Sequence, residues 1–177
     1  LSGGDDSITG GGKYVDEHGY GHEIFNFQEY EGRVYGYARP PRGGLDMSTH
    51  PRINIGRFGV STKDEAVFGV VAVWIANHTS THESVIVGWY QNATVHRHFQ
   101  QMPPGSGRTH NDEEMGFYIS ATEGDSTLLP KDARHFPVPT GGKGELGQSN
   151  IWYAADIPPT TTSPCWSPKT SLPDSST

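Results

Sequence analysis

Val67-Phe-Gly-Val-Val-Ala-Val-Trp-Ile-Ala76 and Glu83-Ser-Val-Ile-Val-Gly-Trp-Tyr-Gln-Asn-Ala-Thr-Val-His-Arg97 commit this chain to a β architecture. The first is a continuous apolar run rich in β-branched residues, too short for a membrane span and too branched for a comfortable helix. A short polar connection, Asn77 to His82, separates the two, so an antiparallel pair is predicted. In the second stretch Val85–Tyr90 reads as a strand, Gln91-Asn92 as a polar tip, and Thr94–Phe99 as a further strand. Strict alternation puts Val85, Val87 and Trp89 on one face and Ile86, Gly88 and Tyr90 on the other. Trp89 and Tyr90 therefore cannot share a pocket without a bulge, and one of them is expected in the core.

Outward from this pair the same alternation recurs. Arg33-Val-Tyr-Gly-Tyr-Ala-Arg39 reads as a half-buried strand after a turn at Glu31-Gly32, and Pro40-Pro-Arg-Gly-Gly44 stops it. The segment to about Lys63 is irregular, with Ile53, Ile55 and Phe58 expected to dock on the core. Met102 to Asn111 is a loop long enough to carry function. Glu114–Thr122 reads as another strand, Leu128–Arg134 as one helical turn, and Thr140–Gly147 as a loop leading into Ser149–Ala154. The fold class predicted is α+β and β-dominated: a single mixed, mostly antiparallel curved sheet or partly closed barrel with short flanking helices. Residues 1–12 form a flexible N-terminal loop, 13–156 the domain, and 157–177 a Pro/Ser/Thr-rich linker or tail.

The chain has 177 residues, enough for one domain with a real core, and carries 23 Gly and 13 Pro, as a turn-rich β domain would. It begins at Leu1 without an initiator Met, which suggests a fragment or a processed chain. No signal-peptide pattern and no apolar run near ~18 residues is visible, so a cytoplasmic protein without a membrane partner is expected. A single cysteine, Cys165, allows neither an intrachain disulfide nor a cysteine zinc site. The net charge of -7 argues against indiscriminate nucleic-acid binding. Yet Arg33, Arg39, Arg42, Arg52, Arg57 and Lys63 are opposed locally by Asp46 alone, as either a solvated face or a phosphate-tracking edge requires.

Rings beside amides mark two places: the Trp89–Asn92 stretch and Gly147-Gln-Ser-Asn-Ile-Trp-Tyr153. Such groups hold a planar, hydrogen-bonding guest, of which a nucleobase is the commonest; the plainer reading is core filling. His96 and His98 share a strand face, but no carboxylate or Cys lies at ligand spacing, so no metal is assigned. His18 and His22 lie in a Gly-rich segment where backbone can approach a ligand, or where they merely bond to backbone. The glycine runs Gly10–Lys13 and Gly141–Gly144 do not fit a phosphate loop, and no nucleophile-elbow or nuclease pattern appears. No cofactor is implied.

Taken in order, Gly11–Phe27, Val34–Tyr37, Ile86–Arg97 and Gly147–Tyr153 resemble the β-rich N-terminal domain of bacterial proteins that carry an HNH-type endonuclease module behind it. These look like modification-dependent restriction systems, and their readers are similar to the PUA-like group that includes EVE, YTH, ASCH and SRA-type domains. The resemblance covers roughly residues 10–155, and the VGWYQNATVHR block is its most specific part. Two departures stand out: such proteins usually carry an apolar strand before the Gly-rich segment, and no nuclease module follows residue 155.

The resemblance implies a DNA-binding module that recognises a modified, above all methylated, base by flipping it into an aromatic pocket. It would be a reader rather than an enzyme, with modified double-stranded DNA and a nuclease module of the intact protein as partners. Its base pocket would draw on Tyr14, Tyr20, His22, Trp89, Tyr90, Asn92, Gln148, Ser149, Asn150 and Trp152, with Tyr153 as a further wall. Arg39, Arg42, Arg57, Arg97 and Lys143 would meet the DNA backbone. The alternatives are an RNA-binding reader of the same kind, or a domain acting on a small nucleotide or base through His18 and His22.

Overall fold

The structure, a computed structural model, describes residues 22–41, 51–78, 81, 83–110, 113–142, 145–147 and 149–154. Eight strands form: β1 (Glu29–Tyr30), β2 (Arg33–Gly36), β3 (Ala66–Asn77), β4 (Ser84–Gln100), β5 (Thr109–His110), β6 (Glu113–Glu114), β7 (Phe117–Thr122) and β8 (Ser126–Leu128). Six of them make one curled antiparallel half-barrel in the order β1-β2-β7-β4-β3, with β8 also on β4; β5 and β6 pair apart as a small hairpin. The predicted helices are single 3-10 turns, at His22–Phe25, Ile55–Phe58, Glu123–Asp125 and Lys131–Ala133. The last lies inside the helical turn predicted for 128–134.

β1 and β2 meet through Glu31 and Gly32, at φ 52° and 73°. Two successive left-handed residues are what a tight two-residue hairpin demands, because that turn matches the twist of its strands. The Gly32 amide is satisfied by the Glu29 carboxylate.

The expectation of two short strands around a Gln91-Asn92 tip is corrected. β4 is one strand of 17 residues, and Asn92 is a bulge within it, at φ 48°. Two bulges nearly face each other here. Between the pairs Val67↔Val95 and Val70↔Ala93 the extra residue lies on β3, where Gly69 has φ 74°. Between Val70↔Ala93 and Ala72↔Tyr90 it lies on β4, and the register is restored. A third shift, at Val87 between Trp74↔Gly88 and Ile75↔Ile86, corrects the strict alternation expected from the sequence, since Val85 and Val87 are buried as Tyr90 is, and Trp89 is not. Each bulge adds local twist and resets the inside-outside alternation beyond it, which curls a sheet without exposing its core.

β4 is the spine of the sheet. Its first part pairs with β8 and its second with β7 along the same side, while β3 covers the other. The Glu123–Asp125 turn breaks β7 from β8 where β4 bulges, and the Asn92 amide Nδ2 donates to Asp125 Oδ1 at 3.2 Å. The main core packs Val34, Ile53, Ile55, Val67, Tyr90, Ala93, Val95, Tyr118, Ile119 and Ala121. A second cluster gathers Tyr35, Met102 and Phe117, with Tyr30 packed on it. Of the three residues expected to dock from the irregular segment, Ile53 and Ile55 are buried, while Phe58 stays partly exposed against Tyr153. On β3 the alternation leaves Phe68, Val71 and Val73 outward and exposed.

Candidate functional site

Among the described residues Arg108 is the largest fully buried side chain, 2% exposed. It belongs to the loop between β4 and β7, which is pinned at several points. Tyr30 Oη donates to the Pro104 carbonyl at 3.0 Å, and Gly105 and Gly107 supply left-handed turns at φ 85° and 64°. The Met115 amide closes the base of the β5–β6 hairpin on the Arg108 carbonyl at 2.9 Å. This geometry drives the Arg108 side chain inward against β2, where Nη1 donates to the Tyr35 carbonyl.

The remaining guanidinium nitrogens, Nε and Nη2, have no acceptor among the described residues. Buried cations are almost always paired, because removing an unpaired charge from water costs several kcal/mol. Burial lowers the Arg108 pKa to about 10, an effect that the nearby Tyr90 hydroxyl partly opposes. The face of Phe25 offers a cation–π contact, the guanidinium carbon lying 5.4 Å from the ring centroid.

Two more buried donors are equally without a partner: Tyr90 Oη and Trp74 Nε1. They lie side by side, with ring centroids 5.5 Å apart at 66°. Phe27 completes a triangle of edge-on rings, 5.3 Å from Tyr90 and 6.4 Å from Trp74. Gly36 makes the convergence possible, because a Cβ there would lie 2.4 Å from the Trp74 indole. Gly88 similarly leaves room for Phe27, whose ring would meet a Cβ at 2.6 Å. The Tyr35-Gly36 step of β2 thus touches both groups: its Tyr35 carbonyl holds Arg108, and Gly36 leaves room for the rings of Trp74 and Tyr90.

Phe25 and Phe27 reach these groups from a single 3-10 turn and the residues after it. The anchor is buried Asn26, which extends the β2 strand like a backbone unit. Its Nδ2 donates to the Tyr37 carbonyl at 3.1 Å, and its Oδ1 accepts from the Tyr37 amide at 2.7 Å. Asn26 fixes the segment, and the two rings on either side of it cover Arg108 and Tyr90.

Of the residues expected in a base pocket, Tyr90 alone is seen in this cluster. It is 0% exposed, and burial pushes its pKa up. Trp89 points to the opposite face, in register with exposed Val73 and with Thr127, as the alternation predicted. Asn92 spends its amide on Asp125 at the bend. Ser149 and Asn150 are exposed, and Trp152 is 37% exposed between Ile151, which packs on the core, and Tyr153. His22 opens the 3-10 turn, and only its backbone is described; Tyr14, His18, Tyr20 and Gln148 lie outside the described residues.

Among the arginines assigned to a DNA backbone, Arg57 stacks on the Tyr153 ring at 5.6 Å and stays exposed. Arg39 is half-buried within electrostatic reach of Glu23. Arg97 holds the loop before β3, donating to the Asp64 carbonyl at 2.8 Å and the Ser61 carbonyl at 3.0 Å. Arg42 and Lys143 lie outside the described residues. His96 packs edge-on against Phe117 at 5.7 Å, and His98 reaches Glu65 at 3.5 Å.

Among the described residues no helix is long and apolar enough to cross a membrane. The sequence reading missed Arg108, Trp74, Phe25 and Phe27 as site residues; the loop holding Arg108 was its one pointer to them. No family model matches the chain, and no match to it was found among the curated proteins or the solved structures.

Proposed function

We propose that this domain is a reader of modified bases in double-stranded DNA, acting in the cytoplasm as the recognition part of a modification-dependent restriction system. The observation that carries this reading is the set of buried donors without acceptors, Arg108 Nε and Nη2 under the Phe25 ring, and Tyr90 Oη and Trp74 Nε1 packed with Phe27. A planar guest with acceptor atoms on its edge satisfies both features at once, through stacking and through hydrogen bonds. A nucleobase is such a guest, and in a duplex it must leave the stack to be inspected, at a cost of a few kcal/mol. Stacking on aromatic rings returns ~1–3 kcal/mol per base. Pairing a buried guanidinium returns more than a neutral hydrogen bond does.

The four donors are shut off from solvent, so a guest has to replace the ring that covers them. Phe25 is that ring for Arg108. The neighbouring Asn26 anchors the backbone, so the Phe25 side chain itself has to swing aside while the turn stays in place. Arg57, exposed on Tyr153, is placed to meet phosphate and supply affinity without base preference.

The domain binds and does not cut. Methylated and unmodified plasmids incubated with the purified chain, with and without divalent metal, test this. The expected result is retardation of the methylated plasmid with both forms left intact. Metal-dependent nicking, or retardation of neither plasmid, would overturn the reading.

A further inference from the structure

The two free nitrogens of Arg108 are Nε and Nη2, and Nη1 is the one engaged by Tyr35. That division is informative. Nε–H and Nη2–H lie on the same side of a guanidinium and point in parallel, forming the fork that grips two adjacent acceptors. The Tyr35 carbonyl therefore holds the group by its third nitrogen and leaves the fork whole.

The neighbours sharpen the specification. A Trp indole can only donate, and the Tyr90 hydroxyl, with no partner among the described residues, is free to do the same. Among the described residues, the titratable group acting on Arg108 is Tyr90, and no carboxylate does. A guest edge presenting an N–H to the Arg108 fork or to the Trp74 indole would meet a donor and lose a hydrogen bond that water had supplied.

We infer that Arg108, with Trp74 and Tyr90, selects an oxo-base whose edge carries two adjacent acceptors. Cytosine offers O2 with N3 and guanine O6 with N7, whereas adenine has no such pair on any edge. The inference rests on the reader function proposed above and deepens it: modified cytosine is a ligand, and N6-methyladenine is rejected. The fork would meet cytosine along the edge remote from C5, so the Arg108 fork identifies the base while the aromatic rings meet a C5 substituent.

Matched duplexes carrying one 5-methylcytosine, one N6-methyladenine or no modification are titrated against the wild-type chain and the Arg108→Lys and Tyr90→Phe variants at one salt concentration. Melting curves are recorded beside each titration. The wild type should favour the 5-methylcytosine duplex over the N6-methyladenine duplex by roughly tenfold or more, the scale of one fork contact. Arg108→Lys keeps the charge and loses the fork, so it should erase that preference. Tyr90→Phe is the control against simple unfolding. It removes a buried hydroxyl that has no partner, so its melting temperature should hold or rise while binding of the 5-methylcytosine duplex weakens roughly 5-fold.

Equal or tighter binding of the N6-methyladenine duplex would overturn the inference and leave the reader function standing. Failure to prefer either modified duplex over the unmodified one would overturn both. Tyr90→Phe with undiminished affinity for 5-methylcytosine, or Arg108→Lys folded with its preference intact, would also overturn the inference.

Discussion

Asn92 and Asp125 are joined side chain to side chain at 3.2 Å, where β4 bulges and β7 gives way to β8. Asp125 is held in turn by the Thr122 hydroxyl at 2.8 Å, so the pair belongs to the corner of the half-barrel. Because Asn92 adopts φ 48°, a residue that tolerates the left-handed region is needed there. Asn92→Gly should cost well under 1 kcal/mol, while Asn92→Val should cost about 1–3 kcal/mol in urea unfolding. The preference of Asn92→Gly for modified DNA should match the wild type. Loss of that preference in a folded protein would return Asn92 to the base pocket.

Gly36→Ala tests the packing of the site. Its new methyl would lie 2.4 Å from the Trp74 ring and 3.1 Å from Tyr90, closer than packed side chains approach, so the rings would have to shift. The expected outcome is a loss of about 1–3 kcal/mol, as for other overpacked cores, together with loss of modified-base preference. Thermal melting and duplex titration read the two effects separately.

Much of this framework was legible in the sequence. Apolar runs around a short polar connection announced β3 and β4, and alternation announced that Trp89 and Tyr90 would part company. Glu31-Gly32 announced its turn through local chemistry, but not that two residues before it would pair as β1. The bulge was not legible, because a Gln-Asn pair reads as a turn wherever it stands, and the bulge depends on Gly69 of another strand and on the turn at Asp125. Arg108 left no local trace. One arginine in a loop of prolines and glycines has no periodicity, and its partner Tyr35 is 73 residues away. Trp74 lay unmarked in the apolar run of β3, and only its unpartnered indole nitrogen sets it apart.

Arg57 and Trp152 separate affinity from preference. Arg57→Ala should weaken modified and unmodified duplexes alike and reduce the salt dependence of binding by about one phosphate contact. Trp152 is 37% exposed, so Trp152→Ala should shift stability far less than the several kcal/mol typical of a buried aromatic. With the donor cluster centred on Arg108, modified-base preference should survive Trp152→Ala. A folded Trp152→Ala protein without preference would place a wall of the pocket at Trp152 after all.

His96 gives the domain a pH dependence of definite sign. Burial, followed by the charge of Arg33, lowers its pKa below the usual 6.5. The unfolded chain therefore binds more protons than the folded one at pH values below about 6.5 and down to the lowered value. Stability conferred by neutral His96 is complete above that range and is lost as pH falls through it. Denaturant melts between pH 7.5 and 5 should show this decline, and His96→Gln should flatten it.

The central claim is that a modified base leaves the duplex to enter the aromatic cluster over Arg108. Fluorescence of 2-aminopurine placed beside one 5-methylcytosine reports that event directly, because emission rises when a neighbour unstacks. Saturating the duplex with the wild-type chain should raise emission several-fold, and the matched unmodified duplex should stay dark at the same protein concentration. Unchanged emission from a modified duplex shown to be fully bound would contradict the account.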